Sequence, residues 1–168
     1  MLDDNFNKEF EKHGFVKEIC DLEKGGGSTK LFDFYDETTT FGIMCKLERM
    51  NSCSRILNIQ RCIFLNILAV GIEKEENRKK GFFKNVVYKL ERFCKSQGIS
   101  LFVSNILEDS LVKILNKNGF GIISYEYANQ VSISKDMLRD EIIDDLLKKS
   151  YEIHGFKIFE ENNYLDEN

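Results

Sequence analysis

The chain contains no proline and no tryptophan. Turns must therefore be built from Gly, Asn, Asp and Ser, and a rigid Pro-rich linker between two domains is excluded. Long apolar runs are missing too. The most apolar stretch, Ile63–Ile72, carries Asn66 and Gly71 and falls far short of the ~20 residues needed to cross a bilayer. Basic charge is in deficit: 24 Lys and Arg stand against 28 Asp and Glu, a net charge of -4. Proteins that coat a nucleic-acid duplex usually carry the opposite sign, so no nucleic-acid and no membrane partner is expected. The five cysteines (Cys20, Cys45, Cys53, Cys62 and Cys94) form no CxxC pair. Met1-Leu2-Asp3-Asp4 is acidic where a secretory leader would be basic, so reduced thiols in a cytoplasmic protein are expected. No Cys/His spacing matches a zinc site, and no metal is expected.

What is present describes an ordinary globular domain. Hydrophobic residues make up 42% and charged residues 31%, which argues against wholesale disorder. A chain of this length suits one domain over residues 1–168, burying roughly 70% of the unfolded surface without a disulfide or metal staple.

Three places share a pattern: Lys12-His13-Gly14-Phe15, Lys117-Asn118-Gly119-Phe120 and Ile153-His154-Gly155-Phe156. Each reads as a helix ending at a left-handed Gly, followed by a strand that starts at Phe. His13 and His154 then sit at helix C-termini, where a cationic ring is favoured, and read as caps. The first helix runs from Asp3 or Asp4 to His13 with Leu2, Phe6 and Phe10 on one face. A strand is expected over residues 15–22, then the Gly-rich loop Lys24-Gly25-Gly26-Gly27-Ser28-Thr29. That loop lacks the Gly-Lys-Ser/Thr ending of a P-loop and reads as a flexible connection.

Residues 31–35 and 41–47 form a hairpin pattern, and residues 56–72 a long β-like run. Phe82, Val86, Leu90, Phe93 and Cys94 recur at helical spacing up to Gly98, with Cys94 on the buried side. Residues 99–104 read as a buried strand, 107–118 as a helix with Leu111, Ile114 and Leu115 inward, and 120–127 as a strand able to continue to Ile133. Residues 135–153 read as a helix with Met137, Leu138, Ile142, Ile143, Leu146 and Leu147 in its stripe, either core or a homodimer interface, and 156–159 as a short strand. Strands first, then strand–helix–strand–helix–strand, indicate a mixed sheet with at least one parallel pair and helices over its faces.

Residues 68–120 carry the chemistry. A core strand ending Leu68-Ala69-Val70-Gly71-Ile72 leads through polar residues to Arg78-Lys79-Lys80-Gly81 and a helix. Backbone amides at such a turn, at the positive end of the helix dipole, can cradle phosphate oxygens; the alternative is a solvated turn.

Arg78-x-x-Gly81-x-Phe83, followed by Val103-Ser104-Asn105-Ile106-Leu107, Leu111, Ile114-Leu115, Lys117 and Gly119-Phe120, resembles the GCN5-related N-acetyltransferase (GNAT) family. The resemblance covers about 60 residues. It implies a mixed, mostly antiparallel α/β (α+β) sheet of about six or seven strands, a splayed parallel central pair, and helices on both faces. The CoA-binding core would span about residues 62–127, with a C-terminal helix and strand over about 135–160.

By the same resemblance the cofactor is acetyl-CoA. Its pantetheine arm would pair with Leu68, Val70, Gly71 and Ile72, with Gly71 as the place for a bulge. Its pyrophosphate would lie on Arg78, Lys79, Lys80, Gly81, Phe82 and Phe83, and Asn105 would either bond the arm or cap the next turn. Expected is acetyl transfer to a primary amine by direct attack on the thioester, with a cationic acceptor favoured by the acidic balance. Glu73 is the candidate base. The family's acidic Tyr position holds Leu115, which leaves Tyr125 and Tyr127 as candidate acids. The alternative is a GNAT-like interaction module with little or no catalysis.

Overall fold

A computed structural model describes residues 2–27 and 29–159. Among these residues seven strands form one sheet: β1 (Phe32–Asp36), β2 (Phe41–Arg49), β3 (Ile63–Ile72), β4 (Ser100–Val103), β5 (Gly121–Glu126), β6 (Val131–Ser134) and β7 (Ser150–Lys157). Their order across the sheet is β1-β2-β3-β4-β7-β5-β6. β3 and β4 are parallel, and every other neighbouring pair is antiparallel. The fold is the mixed, mostly antiparallel α+β arrangement with a central parallel pair that the sequence led us to expect.

Among the described residues six α-helices cover the sheet: α1 (Leu2–Lys12), α2 (Phe15–Glu23), α3 (Asn51–Leu57), α4 (Phe82–Gln97), α5 (Asp109–Lys117) and α6 (Asp140–Lys149). Five of them supply the main core, through Phe6, Phe15 and Ile19, Leu90 and Cys94, Val112 and Leu115, and Ile143. α3 stands alone on the opposite face, where its Leu57 joins Phe64, Phe102, Ile123 and Phe156 in a smaller core. Among the described residues no helix is long and apolar enough to cross a membrane, and the five cysteines are all unpaired.

The register of β3 against β2 contains one irregularity that decides the geometry below. Met44 pairs with Ala69 and Cys45 with Ile67, so Leu68 is the extra residue of a β-bulge. Side chains alternate along a strand, and one inserted residue exchanges the two faces beyond it. Ile63, Leu65 and Ile67 face the main core before the bulge; Val70 and Ile72 pack on that same core after it. If the strand alternated regularly through Leu68, Ala69 and Gly71 would turn inward instead. The bulge was expected at Gly71, but Gly71 pairs in ordinary register with Gly42.

Several boundaries differ from the sequence reading. Residues 15–22 are helical, not a strand. Phe15, Ile19 and Leu22 are all buried, a spacing of four and three that fits a helix, and left-handed Gly14 starts α2 instead of releasing a strand. The first junction is therefore helix to helix. Residues 56 and 57 complete α3, so the β-like run begins only at Ile63. On α5, Val112 and Leu115 point inward, whereas Ile114 is exposed. The strand after Phe120 does not run on to Ile133; it turns at residues 127–130 and returns as β6.

The largest difference lies at residues 135–153. α6 covers only Asp140–Lys149, and Ser150 starts the central strand β7. Met137 is exposed and Ile143 is the one fully buried residue of α6, while Leu138 and Leu147 pack on the main core. β7 takes an inner place between β4 and β5, which buries Ile153, His154, Gly155 and Phe156. A helical reading of this stretch fails because burial on both faces of a sheet removes the period-two signal. His154 is accordingly no helix cap.

Candidate functional site

β3 and β4 run side by side only from Phe64 and Ser100 to Ile67 and Val103. β3 then bulges at Leu68 and stays with β2 to Ile72. After Val103, Ser104 N–H donates to the Ile67 carbonyl (3.0 Å), and Asn105, with φ of 49°, swings the chain away. The separation leaves a cleft of about 280 Å³ lined by Ile67 to Val70 on one side and by Val103 to Glu108 and Leu111 on the other. Expected arm-binding residues Leu68 and Val70 line it, as does Asn105; Gly71 and Ile72 continue the strand beyond it.

A cationic turn follows β3. A single 3-10 turn, Glu75–Asn77, leads to Arg78, whose Nε donates to the Ile72 carbonyl at 3.3 Å. Lys79 and Gly81 both adopt left-handed backbone, with φ of 62° and 77°. Gly81 starts α4 without a side-chain cap, and the first helical bond runs from Asn85 N–H to its carbonyl at 3.1 Å. The preceding amides lack intrahelical partners, which with three exposed cations suits an anionic group. Phe82 and Phe83 are half-buried against the core.

The candidate acid–base residues do not converge. Glu73 lies beyond the cleft: its carboxylate accepts from the Tyr35 hydroxyl at 3.0 Å, and its N–H donates to the Thr40 carbonyl at 3.2 Å. Both contacts direct it toward β1 and β2. Glu108, at the N-terminal end of α5, is the carboxylate on the cleft lining. Tyr127 is exposed and packs on Tyr151. Tyr125 is half-buried, its ring 5.8 Å from that of His154, and burial first of all raises its pKa, so its phenol keeps its proton. Leu115, in the position of the family's acid, is buried in the main core.

Two hydrogen-bond chains that the sequence reading missed meet at the exit of β4. In the first, Ser104 Oγ donates to Asn66 Oδ1 (2.7 Å), Asn66 Nδ2 donates to Glu48 Oε2 (2.5 Å), and Lys46 pairs with Glu48 at 2.6 Å. In the second, Asn105 N–H donates to His154 Nδ1 (3.0 Å), and His154 Nε2 meets Glu152 Oε1 at 2.6 Å. Burial lowers the His154 pKa and outweighs the opposing pull of Glu152, so the ring is neutral near pH 7. The one sequence signal was Asn66, a polar residue inside the most apolar stretch. The other partners are distant in the chain, joined only by strand pairing.

Among the described residues no group of three or more His, Cys, Asp or Glu could hold a metal ion. Comparison with protein-family models, with curated proteins and with solved structures found no match to this chain.

Proposed function

We propose that the protein is an acetyl-CoA-dependent N-acetyltransferase acting on a primary amine in a cytoplasmic setting. The observation that carries this reading is the parting of the parallel pair beyond Ile67 and Val103, with a cleft between the strands and an uncapped, cationic helix start after β3. An extended arm with amides fits a gap between strands whose edges are unpaired, and a pyrophosphate fits the amides and charges of Arg78 to Phe83. The residues present suit the cofactor: Leu68, Val70 and Asn105 line the cleft, and Gly81 supplies the left-handed start that a side chain would strain.

When bound, acetyl-CoA supplies an activated thioester acyl group. The chain's own part is to hold the arm, exclude water between β3 and α5, and place an acceptor near Glu108. The acidic balance favours a cationic acceptor.

Cofactor binding is tested by thermal melting. Acetyl-CoA at 100 times its dissociation constant stabilises the fold by about 2.7 kcal/mol. For a chain of this size that raises Tm by roughly 5–11 °C. An unchanged melt at millimolar acetyl-CoA refutes the reading.

A second reading, a CoA-binding interaction module without turnover, is favoured by Leu115, which puts a buried aliphatic group where the family has a hydroxyl. Release of free thiol from acetyl-CoA with a panel of polyamines and lysine peptides separates the two. Loss of that release in Glu108→Gln, with cofactor binding retained, is the expected outcome if Glu108 serves the amine.

A further inference from the structure

The two chains at the β4 exit impose a direction on every hydrogen bond they contain. An ionised carboxylate only accepts. Glu48 therefore fixes Asn66 with its NH₂ toward Oε2, which leaves Asn66 Oδ1 facing Ser104. Ser104 must then donate its hydroxyl proton to Asn66, and only Oγ lone pairs remain for the cleft. On the other side Glu152 takes the proton-bearing Nε2 of His154, so Nδ1 is the lone-pair nitrogen that receives Asn105 N–H.

The neighbouring donors are spent as well. Ser104 N–H goes to the Ile67 carbonyl and Ile106 N–H to the Ile153 carbonyl, at 3.0 and 2.8 Å. From Ser104 to Ile106 no main-chain N–H and no hydroxyl proton is left, and the Asn105 side-chain amide is the one polar donor there free to rotate. This wall of the cleft presents acceptors, set by two carboxylates that do not themselves line it.

We propose that Ser104 Oγ is the cleft's fixed acceptor and takes an amide N–H of the pantetheine arm, with Glu48 and Asn66 as its positioning residues. The inference rests on the acetyl-CoA reading above and adds to it the polarity with which the arm is gripped. A ligand whose arm offered only a carbonyl at this level would leave Ser104 unsatisfied, and a half-buried unsatisfied acceptor costs binding energy.

The test is calorimetric titration of the full chain with CoA and with adenosine 3′,5′-bisphosphate, which lacks the arm. Ser104→Ala is expected to weaken CoA by about three- to tenfold, the range of one hydrogen bond, and to leave the bisphosphate unchanged. Ser104→Cys, a poor acceptor of similar shape, should repeat the effect and serves if the alanine variant does not fold. Glu48→Ala, which frees Asn66 to turn over, should weaken CoA but not the bisphosphate. Equal CoA affinity in wild type and the Ser104 variants overturns the proposal, and so does an equal loss of both ligands. If the wild-type chain binds neither ligand, the acetyl-CoA reading itself has failed.

Discussion

Inserting one alanine between Ala69 and Val70 tests whether the bulge at Leu68 sets which side chains of the cleft strand face the core. The added residue shifts the alternation beyond the bulge by one, so the new alanine and Gly71 turn toward the main core while Val70 and Ile72 turn away from it. Both displaced residues are half-buried against that core. Full burial of such a side chain contributes about 1.5–3 kcal/mol, so half of that for each of the two gives about 1.5–3 kcal/mol lost. In a chain of this length the loss lowers Tm by roughly 3–12 °C, readable by circular dichroism melting. Gly71→Ala is the matched control. An added Cβ there meets nothing within 4 Å, Gly71 pairs in plain register, and the expected change is within about 0.5 kcal/mol. If the insertion costs less than about 1 kcal/mol, or the Gly71 variant costs as much, the parity argument is wrong.

His154 makes stability depend on pH. Its pKa is lowered in the fold from the ordinary 6.5, so the unfolded chain binds the proton first as pH falls. The stability it contributes is present above 6.5 and is lost as pH drops from there toward the lower folded value. Urea midpoints between neutral pH and about pH 5 should therefore fall more steeply for wild type than for His154→Gln, which keeps both hydrogen bonds but cannot titrate; parallel curves would refute this. Thiol chemistry gives a further check. Burial pushes the Cys45 thiol up to about 12 and Cys94 well above its usual range, while Cys20 is exposed. A maleimide should label Cys20 in the native protein and reach Cys45 and Cys94 only on unfolding. Labelling of all three at one rate would contradict the packing.

The part of the fold legible in the sequence is the part with a local signal. α1 and α4 show their buried stripes, with Phe6 and with Val86, Leu90 and Cys94, at helical spacing. The hairpin of β1 and β2 shows strict alternation of burial. β3, β4 and α5 follow in the order expected, and the cationic turn at Arg78 to Gly81 lies where the motif put it. β7 was hidden because a strand buried on both faces loses its alternation, and its Ile153 and Phe156 serve two different cores.

Within the candidate site the same division holds. The sequence alone determined the cationic turn, the helix behind it and the strand before it, because each depends on residues within one turn or one run. Tertiary structure alone decided the place of the bulge, since register is a property of β2 and β3 together. It also sent Glu73 toward Tyr35 and joined Glu48 with Ser104, and Asn105 with His154. Those partners lie on different strands and meet only because the order β2-β3-β4-β7 sets them side by side. Net charge foretold an acidic protein; only strand pairing turned two of its carboxylates into anchors that fix which way the hydrogen bonds of the cleft point.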